Sequence, residues 1–327
     1  MAKHLTLFQT TSAYELFTTT DKFIKPNVSY CKDDCKVYYN PYKDYAKDYF
    51  TIENTGDDIL SIVFKQFIPD TGDFLDSQVT ISYRTTKSDW VETYEPINIE
   101  PHESIEIKAN LRVDLINLAP NNCVMEGNTT CDIKGNIMSL LFGDDFIDKT
   151  DLTGYVAAFY TLFMNNQNIV SAENLILPAT TLAGNCYAAM FYGCSNLTTA
   201  PELPATTLGI ACYNGMFYGC SSLTTAPELP ATTLADNCYS TMFYGCSNLT
   251  TAPELPATTL ANKCYYAMFY DCTNLNSITV AFTEWDNGYT YIWVSGVATT
   301  GTFTCPADLP EQRGDDYIPE GWTIVRV

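Results

Sequence analysis

The sequence predicts an α+β chain: an N-terminal segment, a two-sheet β region, then a solenoid of stacked repeats closed by a β-rich end. Three observations predict it. Residues 177–275 say nearly the same thing four times, with Cys186, Cys212, Cys238 and Cys264 each 26 residues from the next. Residues 46–115 alternate apolar and polar side chains in short runs. Past residue 277 the period breaks, and three of the four tryptophans (Trp285, Trp293, Trp322) gather there. A fixed period of this size marks stacked units, none of which can bury its apolar side without a neighbour.

Residues 1–45 mix polar and aromatic side chains without a clear period. Within them, 23–41 reads as an extended piece, an AspAsp turn and a β-piece. From 46 to 115, five runs read as strands: 49–54, 59–67, 79–84, 89–94 and 104–111. Turn residues part them at 55–58 and 69–73. Strands this short at this spacing predict an immunoglobulin-like sandwich, with Trp90 packed in its centre. Residues 116–158 read as a strand and a turn joining that sandwich to the repeats. The carboxylate-rich stretch 143–151 lacks the Gly and terminal Glu of an EF-hand loop and reads as solvated.

Within a repeat, 236–246 predicts a short helix, with Asp236 or Asn237 as its cap and Gly245 at its stop. Cys238, Met242 and Cys246 fall at i, i+4 and i+8, and Phe243 widens the apolar stripe. The following Leu249-Thr-Thr-Ala is β-prone, and Pro253 and Pro256 keep it short. One helix and one short strand per unit describe a leucine-rich-repeat-like coil. A degenerate unit starts at 159 and carries Asn166 where later copies carry Cys194, Cys220, Cys246 and Cys272, as expected of a terminal repeat. The solenoid therefore spans 159–277. Residues 278–327 form a cap whose strands lie in 293–306 and 318–327, cover the last repeat and blunt an exposed edge.

Phe243, Cys246, Leu249 and Leu255 fall where BspA-like leucine-rich repeats place Phe, Cys and Leu. The phrase MetPheTyrGlyCysSerXLeuThrThrAlaProGluLeuProAlaThrThrLeu resembles repeats of surface proteins of gut Bacteroidetes and of the viruses that infect them. The likeness covers roughly 155–327. It implies a repeat fold and a role in surface binding. Residues 1–45 resemble the N-terminal segments of proteins from crAss-like phages, which implies an anchor to a capsid or tail protein. The β region resembles the domain that precedes such repeats, which implies that it covers the first repeat's open side. Together these resemblances imply a virion surface protein, a head or tail fibre or a decoration protein, made in the host cytoplasm. They imply a homo-oligomer, trimer or dimer, although no heptad here specifies one. A bacterial cell-surface adhesin of the same repeat family is the alternative.

A formal net charge of −21 argues against a nucleic-acid partner, since a phosphate-binding face needs clustered Lys and Arg. No run reaches 18 apolar residues, so no membrane insertion is expected. The first residues lack an apolar core and cleavage site of a secretory signal. Of 13 cysteines, eight sit in repeat columns: Cys186, Cys194, Cys212, Cys220, Cys238, Cys246, Cys264 and Cys272. Packed helices would hold neighbouring columns too far apart for disulfides, so these read as small buried hydrophobes. Cys31 with Cys35, and Cys123 with Cys131, could each close a loop, with reduced thiols preferred. No Cys-X2-Cys occurs and His4 and His102 are the only histidines, so neither zinc nor another cofactor is expected.

No enzyme is expected either. Both histidines lie outside the repeats, and no phosphate loop is present. A glycosidase would need one carboxylate pair, whereas Glu202, Glu228 and Glu254 recur once per coil. Repetition instead lays like residues in surface columns: Tyr192, Tyr218, Tyr244 and Tyr270; Glu202, Glu228 and Glu254; Thr198, Thr224 and Thr250. Tyrosines beside hydroxyls and carboxylates can stack on and hydrogen-bond a host-surface ligand, glycan or peptide. Phe191, Phe217, Phe243 and Phe269 form a structural column with the cysteines.

Overall fold

The computed structural model describes residues 47–68, 73–111, 121–285 and 288–327. By its contacts the chain divides into Met1–Lys43 and Asp44–Val327, and every described residue belongs to the second unit. Residues 1–45, expected to act as an anchor, and the Cys31/Cys35 pair lie outside the described residues.

Alternation decides the first part. In β1 (Phe50–Asn54) Phe50 and Ile52 are fully buried, and in β7 (Ser104–Lys108) Ile105 and Ile107 are buried while Glu106 and Lys108 face outward. The two strands pair antiparallel, with Ile52 opposite Ile105. β4 (Ile81–Thr85) and β5 (Val91–Thr93) extend this sheet on the β7 side, and β9 (Cys131–Asn136) flanks β1 on the other. A second sheet is centred on β2 (Leu60–Ile68). β8 (Asn121–Glu126) runs along one edge of β2, and β6 (Ile97–Ile99) and β3 (Asp73–Gln78) share the other. Leu60, Ile62 and Phe64 from this sheet join Phe50, Ile52 and Ile107 in one buried cluster. Strands were expected at the places of β1, β2, β4, β5 and β7; β3 and β6 were not anticipated.

Trp90 does not sit in that core. It is half-exposed on the outer face of the first sheet. The Arg84 guanidinium lies 4.7 Å and the Lys108 ammonium 4.4 Å from its ring centroid, and Tyr49 meets it edge-on at 4.8 Å. Two cations stacked on an indole hold it at the surface in a way burial would forbid, because the charges must stay hydrated.

The chain is β-rich, and the described residues form three sheets, none closed into a barrel. Apart from a 3-10 residue at Lys47, helix among them is confined to α1 (Ser139–Phe142) and a 3-10 turn, Gly143–Asp145. The α half of the expected α+β class is therefore overturned, and so is the helix in each repeat. Residues 185–194, 211–220, 237–246 and 263–272 are runs of turns. Their hydrogen bonds explain why. The amides of Ala188, Met190, Tyr192 and Cys194 bond three residues back, to Asn185, Tyr187, Ala189 and Phe191. The amides between them, of Tyr187, Ala189, Phe191 and Gly193, donate instead to Cys212, Asn214, Met216 and Tyr218 of the next repeat. A helix satisfies its amides internally; here every second one is satisfied only by a neighbour. The backbone enters the left-handed region every fourth residue, at Asn237 (φ 55°), Thr241 (φ 53°) and Gly245 (φ 70°) in one copy. A period of four resembles the helical 3.6 closely enough over so short a run that Cys238, Met242 and Cys246 are buried together all the same.

Opposite the turns, the Leu-Thr-Thr stretches form a parallel ladder. Ser171 bridges Thr199, Thr199 bridges Thr225, and Thr251 bridges Ser277. The ladder starts on β9, which pairs parallel with β10 (Ile169–Ser171) and β11 (Leu175–Ile176). It ends in β12 (Ser277–Thr279), β13 (Thr302–Cys305) and β14 (Thr323–Arg326), again parallel. The turn pattern also outlasts the sequence period: the amides of Tyr265, Ala267, Phe269 and Asp271 donate to Tyr289, Tyr291, Trp293 and Ser295. Trp293, fully buried, lies 6.3 Å from Tyr265 and 6.1 Å from Phe269 by ring centroids, covering the ends of two aromatic columns.

Candidate functional site

The outer tyrosines are neighbours in space. Tyr192, Tyr218, Tyr244 and Tyr270 are half-buried and stacked face to face, with successive centroids 4.4, 4.4 and 4.6 Å apart and planes within 10°, 10° and 12°. Each inner ring therefore has both faces covered by sister rings, and its edge and hydroxyl are what it turns outward. Burial and then the neighbouring tyrosine raise the Tyr192 and Tyr218 hydroxyls above the ordinary phenol range.

Glu202, Glu228 and Glu254 are exposed on the connectors. Thr224 and Thr250 are exposed and Thr198 half-buried, its hydroxyl donating to the Val170 carbonyl at 2.9 Å. A second hydroxyl row, unnoticed in the sequence, follows the parallel ladder: Ser171, Thr199, Thr225, Thr251, Ser277, Thr302 and Thr323. Ser171 and Thr199 hydroxyls are 2.7 Å apart. The signal was present, for Ser or Thr persists at this rung even where the rest of the period has dissolved.

Phe191, Phe217, Phe243 and Phe269 are fully buried and stack at 5.6, 5.7 and 5.8 Å. Beside them runs Tyr187, Tyr213, Tyr239 and Tyr265, buried and stacked at 5.8, 5.8 and 6.2 Å. If each coil were a pure translation of the last, every column would have one spacing. The steps of 4.4–4.6 Å at the outer tyrosines and 5.6–6.2 Å in the core mean that successive coils are also rotated, the Tyr192–Tyr270 column being the most closely spaced of the three.

All eight column cysteines are buried free thiols, as are Cys123, Cys131 and Cys305. The helix-packing distance expected to keep the columns apart does not exist, since neighbouring coils stand one ladder step apart. Their thiols serve the backbone instead: Cys194, Cys220, Cys246 and Cys272 donate to the carbonyls of Phe163, Phe191, Phe217 and Phe243 at 3.0, 3.1, 3.1 and 2.9 Å. Burial raises every one of them above the usual thiol range, Cys186 to about 11 and Cys272 to about 12. A thiol so placed is inert rather than nucleophilic.

On the first sheet's outer face an open cleft of ≈ 570 Å³ is lined by Ser82, Glu92, Lys108, Asn110, Phe142 and Asp144, among others. Asp144 accepts from Lys108 through both oxygens at 2.8 Å and from the Tyr49 hydroxyl at 2.7 Å. Those bonds hold its carboxyl below the ordinary range, while burial and then the Asp144 bond push Tyr49 up to about 12. Within the cleft, Lys108 and Asp144 are thus already paired to each other. Neither cleft nor columns place a nucleophile against a base.

Compared with protein-family models, with curated proteins and with solved structures, the chain matches none.

Proposed function

We propose that this chain is a structural and adhesive surface protein, a head or tail fibre or decoration protein on the virion of a Bacteroides-infecting phage. Residues 1–45 anchor it to a capsid or tail protein. The β-rich part is an immunoglobulin-like sandwich that covers one end of a leucine-rich-repeat-like solenoid, and the solenoid is what host cells, glycans or other virion proteins meet. The observation that carries the adhesive reading is the Tyr192–Tyr270 ladder, the most closely spaced of the three aromatic columns. Rotated stacks of repeats gather their tight edge into an extended concave surface, which repeat proteins use for binding. The hydroxyl edges of the ladder, with Thr224 and Thr250 exposed elsewhere on the coils, suit a polar ligand that contacts several coils at once. The resemblance of the repeat phrase supports the phage assignment.

Mass spectrometry and immunogold labelling of purified particles test it. Stoichiometric protein at one site on the virion is expected. Absence from particles with label on the bacterial envelope would favour the second reading, a cell-surface adhesin of the same repeat type, which the same ladder equally supports.

A further inference from the structure

Two aromatic columns run side by side through the repeat core. Positions 191, 217, 243 and 269 are all Phe, and positions 187, 213, 239 and 265 are all Tyr. Both columns are at most 1% exposed and both are stacked. The second column keeps a hydroxyl in every copy, yet the hydroxyls of Tyr187, Tyr213 and Tyr239 are buried with no hydrogen-bond partner in the protein. A buried donor left unpaired forfeits the bond it had in water, and Phe at the same place would carry no such loss. A partner from outside the chain would remove that loss.

Their arrangement says which. Rings 187, 213 and 239 are stacked with centroids 5.8 Å and 5.8 Å apart and planes 17° and 7° from parallel, so their hydroxyls follow one another in a row, one per coil. No hydroxyl in this row bonds the next, since all three are without a partner. We propose that the three hydroxyls line an internal hydration file, with a water between Tyr187 and Tyr213 and another between Tyr213 and Tyr239. Each water has a hydroxyl on either side, the two polar partners a buried water requires at minimum. The core of the stack is therefore wet along one line and dry along the phenylalanine line beside it.

Two measurements on the full chain test this. A crystal structure at high resolution is expected to show density on the lines joining the three hydroxyls, within hydrogen-bond distance of both neighbours. Empty space there overturns the proposal. Tyr213→Phe removes the central member and orphans both waters, so its unfolding equilibrium constant is expected to rise about fivefold. Phe217→Tyr, in the dry column, serves as the contrast and is expected to destabilise without acquiring a water. A Tyr213→Phe protein as stable as the parent, or more stable, overturns the proposal, because that is how a phenol in a dry site behaves.

Discussion

The Cys220 thiol donates to the Phe191 carbonyl at 3.1 Å, and the same carbonyl accepts the Cys194 amide at 3.1 Å. One cysteine thus ties its own coil to the coil before it at the point where a turn closes. The relation recurs from Cys194 to Cys272, which explains a cysteine column that makes no disulfide.

Replacing Cys246 by Ala removes such a tie and leaves a small void, so a loss of roughly 1–2 kcal/mol is expected from denaturant unfolding.

The same burial makes the fold sensitive to alkali. Cys186 is pushed to about 11, and Cys194, Cys238, Cys264 and Cys272 to about 12, from 9.0. Between those values the unfolded chain has released thiol protons that the folded chain still holds, and rising pH favours unfolding. Stability from this source is complete below pH 9 and is lost as pH climbs through 11 to 12. Urea midpoints measured from pH 7 upward should fall beyond pH 9; a flat profile would mean that the folded thiols ionise freely.

The left-handed turn positions give opposite outcomes for opposite substitutions. Ala211 and Ala267 hold φ of 54° and 47°, a conformation that strains any residue with a Cβ. Ala211→Gly and Ala267→Gly are expected to stabilise by about 0.5 kcal/mol after the entropy of the unfolded glycine is counted. Gly245→Ala is expected to cost about 1 kcal/mol from strain alone, since a Cβ there would come no closer than 3.8 Å to Gly219. Equal effects of the two kinds of change would refute the turn geometry.

The tyrosine ladder separates stability from binding. Tyr218→Phe and Tyr244→Phe keep the stacking and remove two hydroxyls, so thermal midpoints should hold while adhesion to host cells weakens. Tyr218→Ala breaks two ring pairs and should cost roughly 1–3 kcal/mol. Adhesion untouched by the double Phe variant would remove the ladder from the binding surface.

Trp293 closes two aromatic columns at once, and Trp293→Ala is expected to cost about 3–5 kcal/mol. The Tyr317 carbonyl also loses its indole N–H donor, 2.8 Å away in the parent. A calorimetric scan would place that loss in the same transition as the repeats.

Much of this architecture was legible in the residues. The period, the buried cysteine and phenylalanine columns and the strands of the first sheet follow from spacing and alternation. The helix was misread because Cys238, Met242 and Cys246 at four-residue steps suit either a helix or a chain of turns. Gly215, in mid-segment where a helix tolerates glycine poorly, was the visible sign against helix. Trp90 was misplaced because hydrophobicity alone says nothing of Arg84 and Lys108, which reach it from other parts of the sheet. The coil at 289–295 was hidden by a change of residues that left the backbone bonding intact. Where the tight edge lies was out of reach, because rotation between coils is a property of the stack and leaves no mark in a single repeat.

Because the amides of Tyr187, Tyr213 and Tyr239 all find their acceptor at the same place one coil on, a whole unit is an interchangeable part. Recombination between near-identical stretches of coding sequence can insert or delete one unit, and the flanking donors and acceptors still meet. A crossover out of phase leaves them mismatched and is removed by misfolding. The gene can therefore change the reach of its product in whole-coil steps without any new side chain.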